Sequence, residues 1–205
     1  MSKTQIAILW GLALLVVVVF FVVSRVVGRP SPTSEGSTLL AAGAFALPEV
    51  PESARRLYPY ADQAARSWQA DAALVSASAS WAFARVDDLS KPTGWTFQFF
   101  SPRTQKLFVV SVDGTRAAVI REALSPYALP MVAASAWQLD SHQALNAWLN
   151  QGGGSFLQAH PIVDISARLR QSDSGRPEWL VAGVVRGSQV AQTVRVDASD
   201  GKVLP

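Results

Sequence analysis

The segment PEWLVAGVVRGSQVAQTVRVDASDGKVL, residues 177–204, reads as two β-strands and two turns. Trp179–Val185 and Val190–Val196 are rich in β-branched residues, with Arg186-Gly187-Ser188 between them. Asp197 to Gly201 then supplies the Asp, Ser and Gly that a chain reversal needs. A third strand candidate, Ile162–Arg170, precedes this pair. Further upstream, Ser141 is a suitable N-cap for a helix over His142–Asn150, whose apolar stripe is Ala144, Leu145, Trp148 and Leu149. Gly152-Gly153-Gly154 stops that helix, and SFLQAHP leaves room for one further turn.

The same order occurs once earlier in the chain. Leu57, Ala61, Ala64, Ala65 and Trp68 recur at helical spacing, with Pro59 placing the helix start near Tyr58. Ala73–Trp81 alternates small apolar residues with Ser, residues 86–94 form a loop, and Trp95–Phe100 and Lys106–Val112 read as a hairpin ending at Asp113-Gly114. Trp95 precedes Asp113 by 18 residues, and Trp179 precedes Asp197 by 18; both aspartates follow Val-x-Val. The expected fold class is α+β, with two helix-plus-antiparallel-sheet (αβββ) units over 51–125 and 133–205; one irregular α+β domain is the alternative. Independent units would make losses at Trp95 and Trp179 nearly additive.

The C-terminal pattern resembles the end of a PepSY domain. The residues that carry the likeness are Trp179, Val194, Val196, Asp197, Ala198, Gly201 and Val203. Residues 58–114 are similar but more divergent, keeping Trp95, Val110, Val112 and Asp113 without the Ala-x-x-Gly turn. The resemblance implies a small extracytoplasmic α+β module of the kind found in peptidase propeptides and membrane-anchored bacterial proteins, with inhibitory or binding roles. It brings no catalytic set.

Every residue from Ile6 to Val23 is apolar or Gly, and 18 residues at helical rise span about 27 Å, close to a bilayer's hydrocarbon core. Residues 1–27 therefore read as a transmembrane anchor, with 6–27 the part in contact with lipid and a cleaved signal peptide as the rival reading. Lys3 on one side and Arg25 and Arg29 on the other leave orientation weakly coded; the expectation is an extracytoplasmic C-terminal domain on a bacterial cytoplasmic membrane. Residues 28–50 begin with the Pro/Ser/Gly-rich GRPSPTSEGST and read as a spacer. The net charge of +3 comes from the first 29 residues, because 30–205 holds 15 basic and 15 acidic side chains. A phosphate-tracking groove, and with it nucleic acid, is not expected.

Motifs for chemistry are missing. The chain has no cysteine, and its two histidines, His142 and His160, lie at none of the short spacings of a zinc site. No Gly-x-Ser-x-Gly elbow is present, and Gly152-Gly153-Gly154-Ser155 lacks the lysine of a phosphate loop. Asp87-Asp88 reads as a solvated turn, and Asp113 and Asp197 as side chains accepting backbone N–H bonds at strand ends. No enzyme activity, cofactor or metal is expected.

Aromatic residues carry the remaining signal. Trp68 and Trp148 fall on helix stripes and Trp95 and Trp179 at strand starts, so a helix-on-sheet core explains four tryptophans, whereas Trp81 and Trp137 fit no repeat position. Phe97 and Phe99 occupy one face of their strand and Phe100 the other. Trp81, Phe100 and Phe108 are the candidate protein contacts, reached by a partner adding to the edge of the Trp95–Phe100 strand, unless stacking of the two units buries them. The functional expectation is a membrane-anchored binding protein, either an accessory subunit of a membrane complex or a modulator of an extracytoplasmic peptidase. The alternatives are a structural tether and, further off, an unrecognised hydrolase.

Overall fold

The computed structural model describes Leu47, residues 52–91 and residues 94–205. The anchor read at 1–27, and all of the spacer except Leu47, lie outside these residues. No helix among the described residues is long and apolar enough to cross a membrane.

Helix α1 is Ala54–Trp68; β1 is Ala73–Trp81, β2 Trp95–Ser101, β3 Lys106–Asp113 and β4 Arg116–Leu124. Helix α2 is Ser141–Trp148, followed by a wide turn over Leu149–Gly153 and the short α3, Gly154–Ala159. The last strands are β5 Val163–Gln171, β6 Pro177–Val185, β7 Ala191–Asp197 and β8 Val203–Leu204. Helix α1 starts four residues before Tyr58 and carries Pro59 inside it. Pro59 sits on the exposed face, where water can satisfy the Arg55 carbonyl that a proline leaves unbonded. Gly152, at φ +103°, turns the chain as expected of a helix stop, but α3 resumes directly after it.

All eight strands form one antiparallel sheet in the order β4-β3-β2-β1-β5-β6-β7-β8. Each half therefore has four strands, and the two halves meet where β1 pairs with β5, Ala79 opposite Ala167 and Ala77 opposite Leu169. The two halves are thus joined edge to edge and share one ladder and one core, rather than each forming its own sheet. Six strands fall where the sequence places them. Strand β4, RAAVIREAL, lacks period-two alternation because almost all of its residues are exposed, and β8 is only two residues long.

Small side chains at the junction make room for large ones from the neighbouring strands. Ala77, Ala79 and Ala167 lie beneath Trp95 from β2 and Trp179 from β6, whose rings meet edge to face at 5.8 Å. Trp81 packs on Trp95 at 6.4 Å, and Trp137 on Trp179 at 6.0 Å and on Tyr58 at 5.8 Å. The two tryptophans outside the repeat pattern thus complete an aromatic chain across the junction. Trp137 arrives on the segment between the halves, which is tied down by bonds from the Val132 N–H to the Leu74 carbonyl and from the Gln138 and Leu139 N–H groups to the Ala198 carbonyl. The Leu139 carbonyl accepts both the Trp137 and the Trp179 indole N–H, at 2.7 and 2.8 Å.

The two helix starts share one carboxylate. Asp140 accepts from the Ser53 hydroxyl at 2.6 Å, the Arg55 N–H at 3.0 Å and the Ser141 N–H at 2.6 Å, so it caps α1 and α2 together. Gln143 completes the α2 cap by accepting from the Asp140 N–H.

Over the second half Trp148 is clamped between glycines. A Cβ on Gly153 would lie 2.5 Å from its ring, and one on Gly183 2.6 Å from it. Alanine in a strand is ordinarily about 0.5–1 kcal/mol better than glycine. Gly183→Ala should reverse that sign and destabilise by about 1–3 kcal/mol, the usual cost of overpacking. Chemical unfolding of the variant checks it, and a gain in stability would refute the close packing.

Candidate interaction surfaces

The candidate contact residues are interior. Trp81 lies in the aromatic chain, Phe108 stacks on Trp68 at 4.8 Å, and Phe100 is buried on the sheet face opposite Phe97 and Phe99. Strand β2 cannot receive a partner strand either, because β1 and β3 flank it on both sides. The sequence shows β2 and β3 as a hairpin but not the pairing of β1 along the other side of β2, which takes β2 away from any edge.

The polar residues singled out in the sequence have local jobs. Asp197 is buried and accepts from the Ser199 N–H at 2.8 Å, as expected, and it also pairs with Arg176 at 3.0 Å. Asp113 is exposed and no N–H among the described residues reaches its carboxylate. Asp88 accepts from the Arg85 N–H at 3.0 Å and closes a short 3-10 turn over Val86–Ser90. His160 packs on Phe156 at 4.8 Å, and His142 has a buried Nδ1 with no partner among the described residues. No cluster of three or more His, Cys, Asp or Glu side chains fit to hold a metal occurs among the described residues.

Charge elsewhere is organised in pairs. Glu178 is buried and held by Arg170 at 2.7 Å and Arg195 at 3.0 Å. Ion-paired hydrogen bonding to Arg186 lowers the Asp164 pKa below the ordinary carboxylate range, with the Phe83 N–H assisting. The Lys106 ammonium and the Trp68 indole N–H act likewise on Glu122. Burial, reinforced by the Asp62 carboxylate, raises the Tyr58 phenol above its usual value.

Two surfaces remain after these jobs are assigned. One is β4, an edge strand bonded to β3 alone, with Val119, Ile120 and Leu124 exposed, the last at 77%. A bulge at Ile120 interrupts its register, leaving Arg116–Val119 as a regular free edge. Ala117–Ile120 carries no charge and no proline, whereas the opposite edge, β8, has two residues beside Lys202 and the Arg195 side chain. A shallow groove between the start of α1 and the β3–β4 turn, lined by Glu52, Arg56, Tyr60 and Thr115, adjoins the beginning of this edge. The second surface is the sheet end around Phe83. Sequence reasoning missed both. β4 looks helix-compatible in sequence, and Phe83 is a single aromatic in a loop.

No protein-family model matches the chain, and no curated protein matches it. Among solved structures, the chain is similar to a candidate lipoprotein from Clostridium difficile 630, with a TM-score of 0.49 and 17% identity over 75% of this chain and 97% of that one.

Proposed function

We propose that the chain is a single-pass, membrane-anchored extracytoplasmic binding protein of two fused PepSY-like halves, acting as an accessory subunit or as a modulator of an extracytoplasmic peptidase. The observation that supports a binding role is the free edge of β4. Its outer N–H and C=O groups meet no strand among the described residues, and its central side chains are apolar and exposed. An extended segment of a partner protein can add there as a ninth strand, with main-chain bonds giving affinity and Val119 and Ile120 giving selectivity.

A photo-crosslinking residue in place of Ala118, in the full chain in its native membrane, should yield a discrete protein adduct. The adduct should disappear when Val119 and Ile120 are changed to Lys. The same crosslinker in place of Gln158, exposed on α3, serves as the control. Adducts at Ala118 no stronger than at Gln158 would remove the strand-addition reading and leave a structural tether.

A further inference from the structure

Phe83 follows β1 in a conformation that a bulky residue seldom adopts, with φ +54°. Two contacts hold it there, and their partners are joined to each other. Its N–H donates to Asp164 Oδ1 at 3.1 Å, the Arg186 guanidinium lies 3.9 Å above its ring, and Arg186 and Asp164 are joined by two hydrogen bonds of 2.8 and 2.9 Å. Phe83 is nonetheless 56% exposed. A strained backbone held by two linked contacts, with an aromatic side chain left largely in water, signals a side chain held for a purpose outside the fold.

Neighbouring loops add to it. Ile162 comes from the α3–β5 connection and Val190 from the β6–β7 turn, and both are exposed; Val184 lies opposite Asp164 on β6 and is exposed as well. The Arg186 N–H donates to the Ile162 carbonyl and the Val185 N–H to the Val190 carbonyl, so these residues gather at the same end of the sheet. Four exposed apolar side chains thus share one end of the sheet with the Arg186–Asp164 pair.

We propose that this end of the sheet inserts its apolar side chains into the lipid bilayer, with Phe83, Ile162 and Val190 entering the interface and Arg186 meeting the lipid phosphates. This proposal rests on the reading of residues 6–27 as an anchor. Single side chains from loops and a strand end, away from the two sheet edges β4 and β8, suit a fluid apolar phase. Tethering brings the two together. Leu47 is fastened to α2 by its N–H donating to Asn146 Oδ1 at 2.6 Å and by the Asn146 amide donating to its carbonyl. Residues 28–46 can span at most about 65 Å even when fully extended. The domain therefore stays within reach of the bilayer, where an exposed aromatic and a snorkelling Arg find their preferred depth.

The absence of cysteine makes a clean test possible. The full chain carrying Ala82→Cys, beside Phe83, or Asp173→Cys, in the β5–β6 turn at the opposite end of the sheet, is labelled with an environment-sensitive fluorophore. Each is reconstituted into vesicles of phosphatidylethanolamine and phosphatidylglycerol. The label at Ala82→Cys should shift to the blue and lose iodide quenching, the label at Asp173→Cys should do neither, and Phe83→Ser/Ile162→Ser/Val190→Ser should abolish the shielding while the protein still floats with the vesicles. Equal quenching at the two sites would overturn the proposal. So would shielding that survives the triple substitution, or that develops only when a cell-envelope protein fraction is added. Failure of the unsubstituted chain to float with vesicles would remove the anchor reading, and this proposal with it.

Discussion

Trp95→Ala and Trp179→Ala should each cost about 3–5 kcal/mol, the range for deletion of a large buried aromatic. The double variant should lose less than the sum, because the two rings touch at 5.8 Å and either single change already removes that contact. Residues in direct contact couple by about 0.5–3 kcal/mol, so the deficit lies well outside the error of denaturant unfolding. Strict additivity would mean that the halves behave as independent units despite sharing β1 and β5. The near-additive expectation drawn from the repeat alone is replaced here for one reason: the equivalent tryptophans occupy the junction rather than the middle of each half.

Asp140→Ala should be the most damaging change at a polar position. Its carboxylate accepts from two helix starts at once, and loss of one N-cap costs about 0.5–2 kcal/mol, so two together should cost about 1–4 kcal/mol. The Ser53 hydroxyl would also lose its acceptor in a buried setting. Asp140→Asn keeps the one oxygen, Oδ1, that both backbone N–H groups reach and can turn its amide toward the Ser53 hydroxyl, so it should retain most of that stability. If Ala and Asn proved equally mild, the shared cap would be energetically idle. The expected signature is a lowered unfolding midpoint with the denaturant slope unchanged.

Local periodicity specified most of the secondary structure. Six strands and both main helices follow from alternation, helical stripes and turn residues such as Asp197 and Gly201, whereas the residue that caps α2 is Asp140 and not the Ser141 read from the sequence, which is the first residue of the helix. These signals need only neighbours within a few residues, because the burial of alternate side chains is written directly into the order of apolar and polar types. Asp197 also performs the backbone-accepting turn role read from its position. Strand β4 escaped because an edge strand exposed on both faces has no burial pattern to imprint on its sequence, and Ala, Arg, Glu and Leu are helix formers held extended by pairing with β3.

Long-range pairing decided which side chains are buried and which are exposed. The alanines of β1 read as a weak strand with little bulk, and only the pairing of Ala79 with Ala167 explains them, as the floor beneath two indoles contributed by distant segments. Trp81, Phe100 and Phe108 looked available in a sheet counted half at a time and are buried in the continuous one. Phe83 carries no motif; its exposure is fixed by Asp164 and Arg186, which lie about 80 and 100 residues away in the chain and beside it in space. A residue's own sequence neighbours set which face of its strand it occupies, but whether that face is covered depends on which strands and loops arrive from elsewhere.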